Sequence, residues 1–380
     1  MNGPPSDSDR SDAGALALRL ERFLREAPWS RPATDAAFGA LALESCRLQC
    51  ETIPAYGAYA RHLGRGAGEV LRWQDIPPVP ASAFKSHDLG SAPPGREAVV
   101  FETSGTTISR PGRVRLGSTR LYEASLLRGF ERHLLPDGAR MPILVFGPTR
   151  EEAPHSSLWF MADRVARAFG TSRTAVVEGG TPCWDTADRV LALAVSERRP
   201  VLLFGTTLLF AAYAERCGAR GLSFALPPGS RAMDTGGAKG ARVEVERPSV
   251  HGMFERVLGI PSTHVVNEYG MAELGSQFYE DRLLAAHEGR DAVEGRRAPP
   301  WVRTRVLDPE TLAELGDGQP GILVHIDLAN LEVPLAIQTE DVGVRQGDRL
   351  MLRGRLPKAE RRGCSLPFEE FLERERPEGR

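Results

Sequence analysis

Between residues 98 and 267, short runs of β-forming apolar residues alternate with stretches of helical periodicity, and nothing else in the chain restricts its fold so much. Residues 98–103, 142–146, 174–177, 201–204, 231–234 and 263–267 read as strands, and 118–134, 156–169, 186–197, 207–217 and 250–258 as the helices between them. A helix placed between two strands brings them together in parallel, because a tight hairpin leaves no room for it. Parallel sheets are covered on both faces, so their strands can be apolar throughout. The pattern predicts an α/β protein with parallel sheets covered by helices. Beyond Trp301 the pattern changes. WVRTRVLD, GILVHIDL and DRLMLRGR alternate apolar with polar residues and are separated by turns such as Gly316-Asp317-Gly318, which predicts a small antiparallel β subdomain.

The N-terminal part is of another kind. Residues 1–12 are polar with Pro and Gly and read as a disordered leader. Leu16, Leu20, Phe23 and Leu24 then recur at helical spacing, and further helical stretches cover 36–50 and 53–63. In IPPVPASAFK the prolines at 77, 78 and 80 force an extended path, so 76–85 reads as a strap leading into the first sheet. The expected organisation is a leader (1–12), a helical region with the strap (13–97), a ligand-binding α/β core (98–300), a β subdomain (301–355) and a tail (356–380).

A formal net charge of -2 gives no electrostatic case for nucleic acid. No apolar run approaches the roughly 20 residues needed to span a bilayer, and cytoplasm is the expected compartment. The five cysteines have no zinc-site spacing, and Cys46 and Cys50, one helical turn apart, read as a packed pair.

Three strings in this order carry chemistry: Thr103-Ser104-Gly105-Thr106-Thr107, Asn267-Glu268-Tyr269-Gly270-Met271-Ala272-Glu273, and the acidic turn Thr339-Glu340-Asp341. A loop of Gly and Ser/Thr can hold phosphate oxygens with hydroxyls and backbone N–H groups, and Arg110, Arg113 and Arg115 follow as positive charge. It is not a Walker loop, having no GK[ST]. Tyr269 offers a flat face for a base, Glu273 a hard oxygen ligand for Mg²⁺, and Asp341 two oxygens for ribose hydroxyls. Gly236-Gly237 allows close backbone approach to a planar ligand, with Lys239 nearby. Taken singly, each has a plain alternative: a helix-capping turn, a core tyrosine with a surface glutamate, an ordinary turn, a bare hairpin loop. As an ordered set they point to ATP-dependent activation of a carboxylate.

The set resembles that of the adenylate-forming superfamily. VPASAFKS, PHSSLWFMADRVARAFG, TGGAKG, NEYGMAELGSQFY and GRLPKAERRGCSL are most similar to the acyl-protein synthetases, LuxE-type long-chain-fatty-acid–luciferin-component ligases, over roughly residues 15–372. The resemblance implies the large-domain fold of adenylate-forming enzymes, with ATP and Mg²⁺ as cofactors. It implies that Thr103, Ser104, Gly105, Thr106 and Thr107 cradle the triphosphate. Gly236, Gly237, Asn267, Tyr269 and Gly270 would hold adenine, Asp341 and Arg355 the ribose, and Glu273 the Mg²⁺. His155 and Trp159 would line an acyl pocket; for His155 the plain alternative is a cap or packing residue. Two positions depart from the family pattern: Ile108 replaces a loop glycine, and Ala272 a hydroxyl residue near the α-phosphate. The short tail after Arg355 implies that the mobile C-terminal domain of related ligases is absent or vestigial. In that tail Arg361 and Arg362 precede Cys364, and guanidinium charge lowers a thiol pKa; the resemblance makes Cys364 the acyl acceptor. The expected reaction converts a fatty or related acid to an acyl-adenylate and then to a thioester on Cys364. An acyl reductase or transferase subunit, or a carrier protein, would be the partner. Transfer to CoA or a carrier thiol, and a non-catalytic scaffold with a nucleotide-binding fold, are the alternatives.

Overall fold

The computed structural model describes residues 7–103, 111–236 and 247–356, the side chains of 7–11, 31–32 and 247–251 excepted. Helices α1 (Asp7–Glu26), α2 (Arg31–Thr52) and α3 (Pro54–His62) come first, then strands β1 (Val79–Pro80), β2 (Val99–Glu102) and β3 (Arg113–Leu116). Next are α4 (Arg120–Leu134), β4 (Met141–Phe146), α5 (Ser157–Phe169), β5 (Gly170–Ala175), β6 (Val177–Glu178), β7 (Thr181–Pro182), α6 (Trp184–Ser196), β8 (Leu202–Thr206), α7 (Thr207–Arg220) and β9 (Arg231–Thr235). The chain continues through α8 (Arg247–Leu258), β10 (Val265–Tyr269), β11 (Phe278–Glu280), α9 (Arg282–His287) and β12 (Arg296–Arg297). The last of the described elements are β13 (Val302–Leu307), β14 (Pro320–Asp327), β15 (Ala336–Gln346) and β16 (Arg349–Arg355).

Two compact units share this chain, and neither is one consecutive stretch. One comprises Met1–Leu126, Met271–Gln277 and Ala298–Arg380; the other, Leu127–Gly270 and Phe278–Arg297. In the second unit the strand order is β12-β11-β10-β9-β8-β4-β5. From β10 to β5 the strands are parallel, and β11 and β12 are added antiparallel. One face is filled by Ala187, Leu191, Phe210, Tyr213, Phe254 and Leu258 from α6, α7 and α8. On the other, Phe130 of α4 stacks 6.3 Å from Phe204 of β8. Burial on both faces is the physical reason the central strands β4 and β8 read as apolar runs.

In the first unit β13, β14, β15 and β16 form an antiparallel meander, as the alternation after Trp301 predicts. Arg303 of β13, 2% exposed, holds α2 against this sheet: its guanidinium lies 4.3 Å over the Phe38 ring and donates from Nε to Asp35 Oδ1 at 2.9 Å. The strap joins the same sheet, with Val79-Pro80 pairing in parallel with Ile337-Gln338.

Four local expectations are corrected. The leader was expected over 1–12, but α1 begins at Asp7, because Leu16, Leu20 and Leu24 bury one face of a longer helix. The strap is not extended throughout, since 81–85 closes into a 3₁₀ turn that buries Phe84. Strand β2 does not enter the parallel sheet but pairs with β3 as a hairpin. The segment Thr339–Asp341 is not a turn: it lies inside β15, where Ile337, Thr339, Asp341 and Val344 are buried and a register shift falls between Val342 and Gly343.

Candidate active site

The β2–β3 hairpin sets the neck of the candidate phosphate loop. Thr103 N donates to Gly112 O at 2.9 Å, and Gly112 N donates back to Thr103 Oγ1 at 2.9 Å. A Cβ at position 112 would stand 3.1 Å from the Phe84 carbonyl carbon, so the strap presses on this neck. Ser104, Gly105, Thr106, Thr107, Ile108 and Arg110 lie outside the described residues. Arg115 is not loose positive charge: it is tied to Asp88 and donates to Glu97 at 2.9 Å, while Arg113 stands 3.7 Å from Glu102.

Asp341 and Arg355 face each other across β15 and β16. Arg355 Nε donates to Asp341 Oδ1 at 3.0 Å, and Asp341 N donates to Thr339 Oγ1 at 3.0 Å. The sheet register therefore brings the two residues assigned to the ribose into contact.

Glu273 sits on Met271–Gln277, the short piece that belongs to the first unit. It is 6% exposed, and burial pushes its carboxyl up to about 7 against the opposing pull of Arg355 and Lys85. A carboxyl held out of water gains most from a cation that ionises it. Among the described residues no group of three or more His, Cys, Asp or Glu side chains could hold a metal ion. Mg²⁺ needs none, since it binds through one or two carboxylates together with substrate phosphates and water. Glu273 fits that coordination.

In the second unit, polar residues gather at the carboxyl ends of β9 and β10, the edge where parallel sheets carry ligands. Asn267, fully buried, donates from Nδ2 to Asp234 O and Asp234 Oδ2, both at 3.0 Å. Its Oδ1 accepts from Arg296 Nε and Nη2 at 2.8 and 2.6 Å. Its amide is thus committed to ordering the strand ends. Thr207 Oγ1 bonds Asp234 Oδ1 at 2.8 Å and lies 2.9 Å from the carbonyl of Gly236, which has φ +79. Gly237 lies outside the described residues. Tyr269 is buried beside Phe278, with ring centroids 5.5 Å apart, and Gly270 ends the stretch. His155 is exposed in the turn before α5. Trp159 lies flat on Gly147, where a Cβ would stand 2.1 Å from its ring.

Sequence reasoning passed over Glu268, although a charged residue inside an apolar strand is a signal. It is 5% exposed, burial pushes it up to about 7, and the Thr235 hydroxyl donates to it. An acid whose folded pKa is raised keeps its proton in the fold. Its contribution is fully present below the unfolded value of 4.5 and is lost as pH rises through about 7. Glu268→Gln keeps an acceptor for Thr235 and removes the titration. Its stability relative to wild type should therefore rise between pH 5 and pH 8, by about 3 kcal/mol at most. Urea unfolding at both pH values measures this, and a pH-independent difference would place the titration elsewhere.

Comparison with known proteins decides the kinship. The family described as "Acyl-protein synthetase, LuxE" matches residues 66–373. The chain belongs to that family. A long-chain-fatty-acid–luciferin-component ligase of Vibrio harveyi is 27% identical over 331 residues, covering 80% of each chain. One of the same name from Aliivibrio fischeri is 29% identical over 115 residues, and that match spans only 28% of each chain. Among solved structures, an open-conformation 2-hydroxyisobutyryl-CoA ligase with 2-HIB-AMP and CoA has a TM-score of 0.63 at 16% identity, over 94% of this chain and 80% of that one. The same ligase in its postadenylation state also scores 0.63 at 16%, over 93% and 72%. These likenesses show that this acyl-protein synthetase family member has the fold of adenylate-forming ligases. No helix among its described residues is long and apolar enough to cross a membrane.

Proposed function

We propose that this chain activates a carboxylic acid, a fatty or related acid, with ATP and passes the acyl group to Cys364. The observation that carries the reading is the family match over 66–373, which takes in both NEYGMAE and the tail cysteine. In the first step a carboxylate oxygen attacks the α-phosphorus, the bond to the β-phosphate oxygen breaks, and pyrophosphate leaves. In the second the Cys364 thiolate attacks the acyl carbon, the thioester forms, AMP leaves, and the thiol proton goes to solvent.

Bringing two anions together needs charge compensation at fixed positions. The roles follow the family resemblance: Thr103–Thr107 for the triphosphate, Asp341 with Arg355 for the ribose, and Gly236, Gly237, Asn267, Tyr269 and Gly270 for adenine. Of these, Asn267 serves by holding the strand ends in order, since its amide is taken up by Asp234 and Arg296. Glu273 would hold Mg²⁺, which when bound neutralises phosphate charge in the developing transition state. Trp159 and His155 are assigned to the acyl side. An acyl reductase or transferase subunit would collect the acyl group from the thioester.

ATP–pyrophosphate exchange across a panel of acids tests the first step, and labelled acid retained on denatured protein tests the second. Exchange with a fatty acid and hydroxylamine-labile label are expected. Exchange without label but with acyl-CoA formation would move the acceptor to CoA. No exchange with any acid would leave a scaffold.

A further inference from the structure

Glu273 lies in a short segment with no regular hydrogen-bonded element of its own, yet a metal ligand must be held to a fraction of an ångström. What holds it is a largely buried loop between β14 and β15. Asn330, 4% exposed, donates from Nδ2 to the Glu273 carbonyl at 2.8 Å and lies 3.2 Å from Pro334 O. Gly275 meets the same loop so closely that a Cβ would stand 2.7 Å from Ala329 Cβ. Ser276 Oγ donates to Asp327 Oδ1 at 2.7 Å, at the root of the loop.

The loop is ordered in turn from α2. Gln49, fully buried, directs Nε2 at the carbonyls of Asn330, Leu331 and Val333 at 2.7, 3.1 and 2.7 Å. Its Oε1 accepts from Leu335 N at 3.0 Å. One amide thus satisfies both polarities of a loop whose residues Asn330 and Val333 to Leu335 are buried, which a carboxylate or an ammonium could not do. The same loop reaches the phosphate hairpin: Glu332 Oε2 accepts from Gly117 N at 2.6 Å and Ser118 N at 3.1 Å, just past β3.

We propose that Gln49 and Asn330 are positioning residues for Glu273. Gln49 fixes the 330–335 loop, and Asn330 transmits that order to the main chain of the metal ligand. The inference rests on reading Glu273 as the Mg²⁺ ligand. Partners that orient a ligand change metal affinity or activity by about 10–100-fold when removed. Asn330→Ala should raise the Mg²⁺ concentration for half-maximal pyrophosphate exchange about tenfold and leave KM for the acid near wild type. Gln49→Glu, of the same shape but without the donor, should shift it in the same direction.

A readout independent of turnover is the thermal shift produced by titrating Mn²⁺ in the presence of a non-hydrolysable ATP analogue. Its midpoint should move in parallel. Asn330→Asp, which keeps the size but loses the donor, replaces the alanine variant if that does not fold. Wild-type exchange with variant midpoints unchanged, even at reduced rate, would make both residues ordinary packing groups and overturn the proposal alone. Wild type with neither exchange nor a Mn²⁺-dependent shift would remove the adenylation reading and this proposal with it.

Discussion

Glu273→Gln should lower ATP–pyrophosphate exchange by about two to three orders of magnitude while leaving the folded protein at least as stable at pH 8. A neutral amide is a poor ligand for a hard cation, and the charge stabilisation supplied through such a metal is worth several kcal/mol, about tenfold in rate for each 1.4. Stability should move the other way. The Glu273 carboxyl is buried and pushed up to about 7, so at pH 8 the fold carries an ionised group it would hold more easily as an amide. Opposite signs in activity and stability distinguish a ligand from a packing residue. Near-normal exchange by the variant would take Glu273 out of the site. Loss of exchange together with a large drop in unfolding temperature would make it a residue of the fold.

Cys364→Ser should abolish label retained on the protein and spare pyrophosphate exchange, because only the second step uses the thiol. A serine hydroxyl without an adjacent base is scarcely ionised near pH 7 and is a far weaker nucleophile than a thiolate. Any ester that formed would resist the neutral hydroxylamine that cleaves a thioester. Cys364 lies outside the described residues, so this expectation rests on the sequence GRLPKAERRGCSL and on the family match through residue 373. Lost exchange would give Cys364 a structural part, and label still present would place the acceptor on another residue.

Both variants test residues that were visible in the sequence, and the reason is that each string is local. A strand end that presents Tyr269, and a glycine permitted to sit at φ +79 at position 236, are properties of a few consecutive residues. The parallel strands were visible for the same reason: the apolar runs of β4 and of Leu202–Phe204 in β8 are short, local signals left by burial on both faces. The family kinship was carried by the same strings.

Pairings between distant parts of the chain were not visible. Arg113 and Arg115 read as charge for a phosphate, but the β2–β3 register turns Arg115 to Asp88 and Glu97. Asp341 read as part of a turn, because a run of Thr-Glu-Asp is more often solvated; it is buried in a strand because Arg355 stands opposite to meet its charge. Gln49 gave no signal, being a polar residue in a helix until a loop almost three hundred positions away turns its carbonyls toward it. The sequence by itself determined which residues have the chemistry and where most helices and the strands of the parallel sheet fall, since those follow from side-chain type and short-range period. Tertiary structure alone decided which of those residues are held, neutralised or buried. That depends on partners the chain brings together from far apart, where the removal of water sets both the strength of each hydrogen bond and the pKa of each carboxyl.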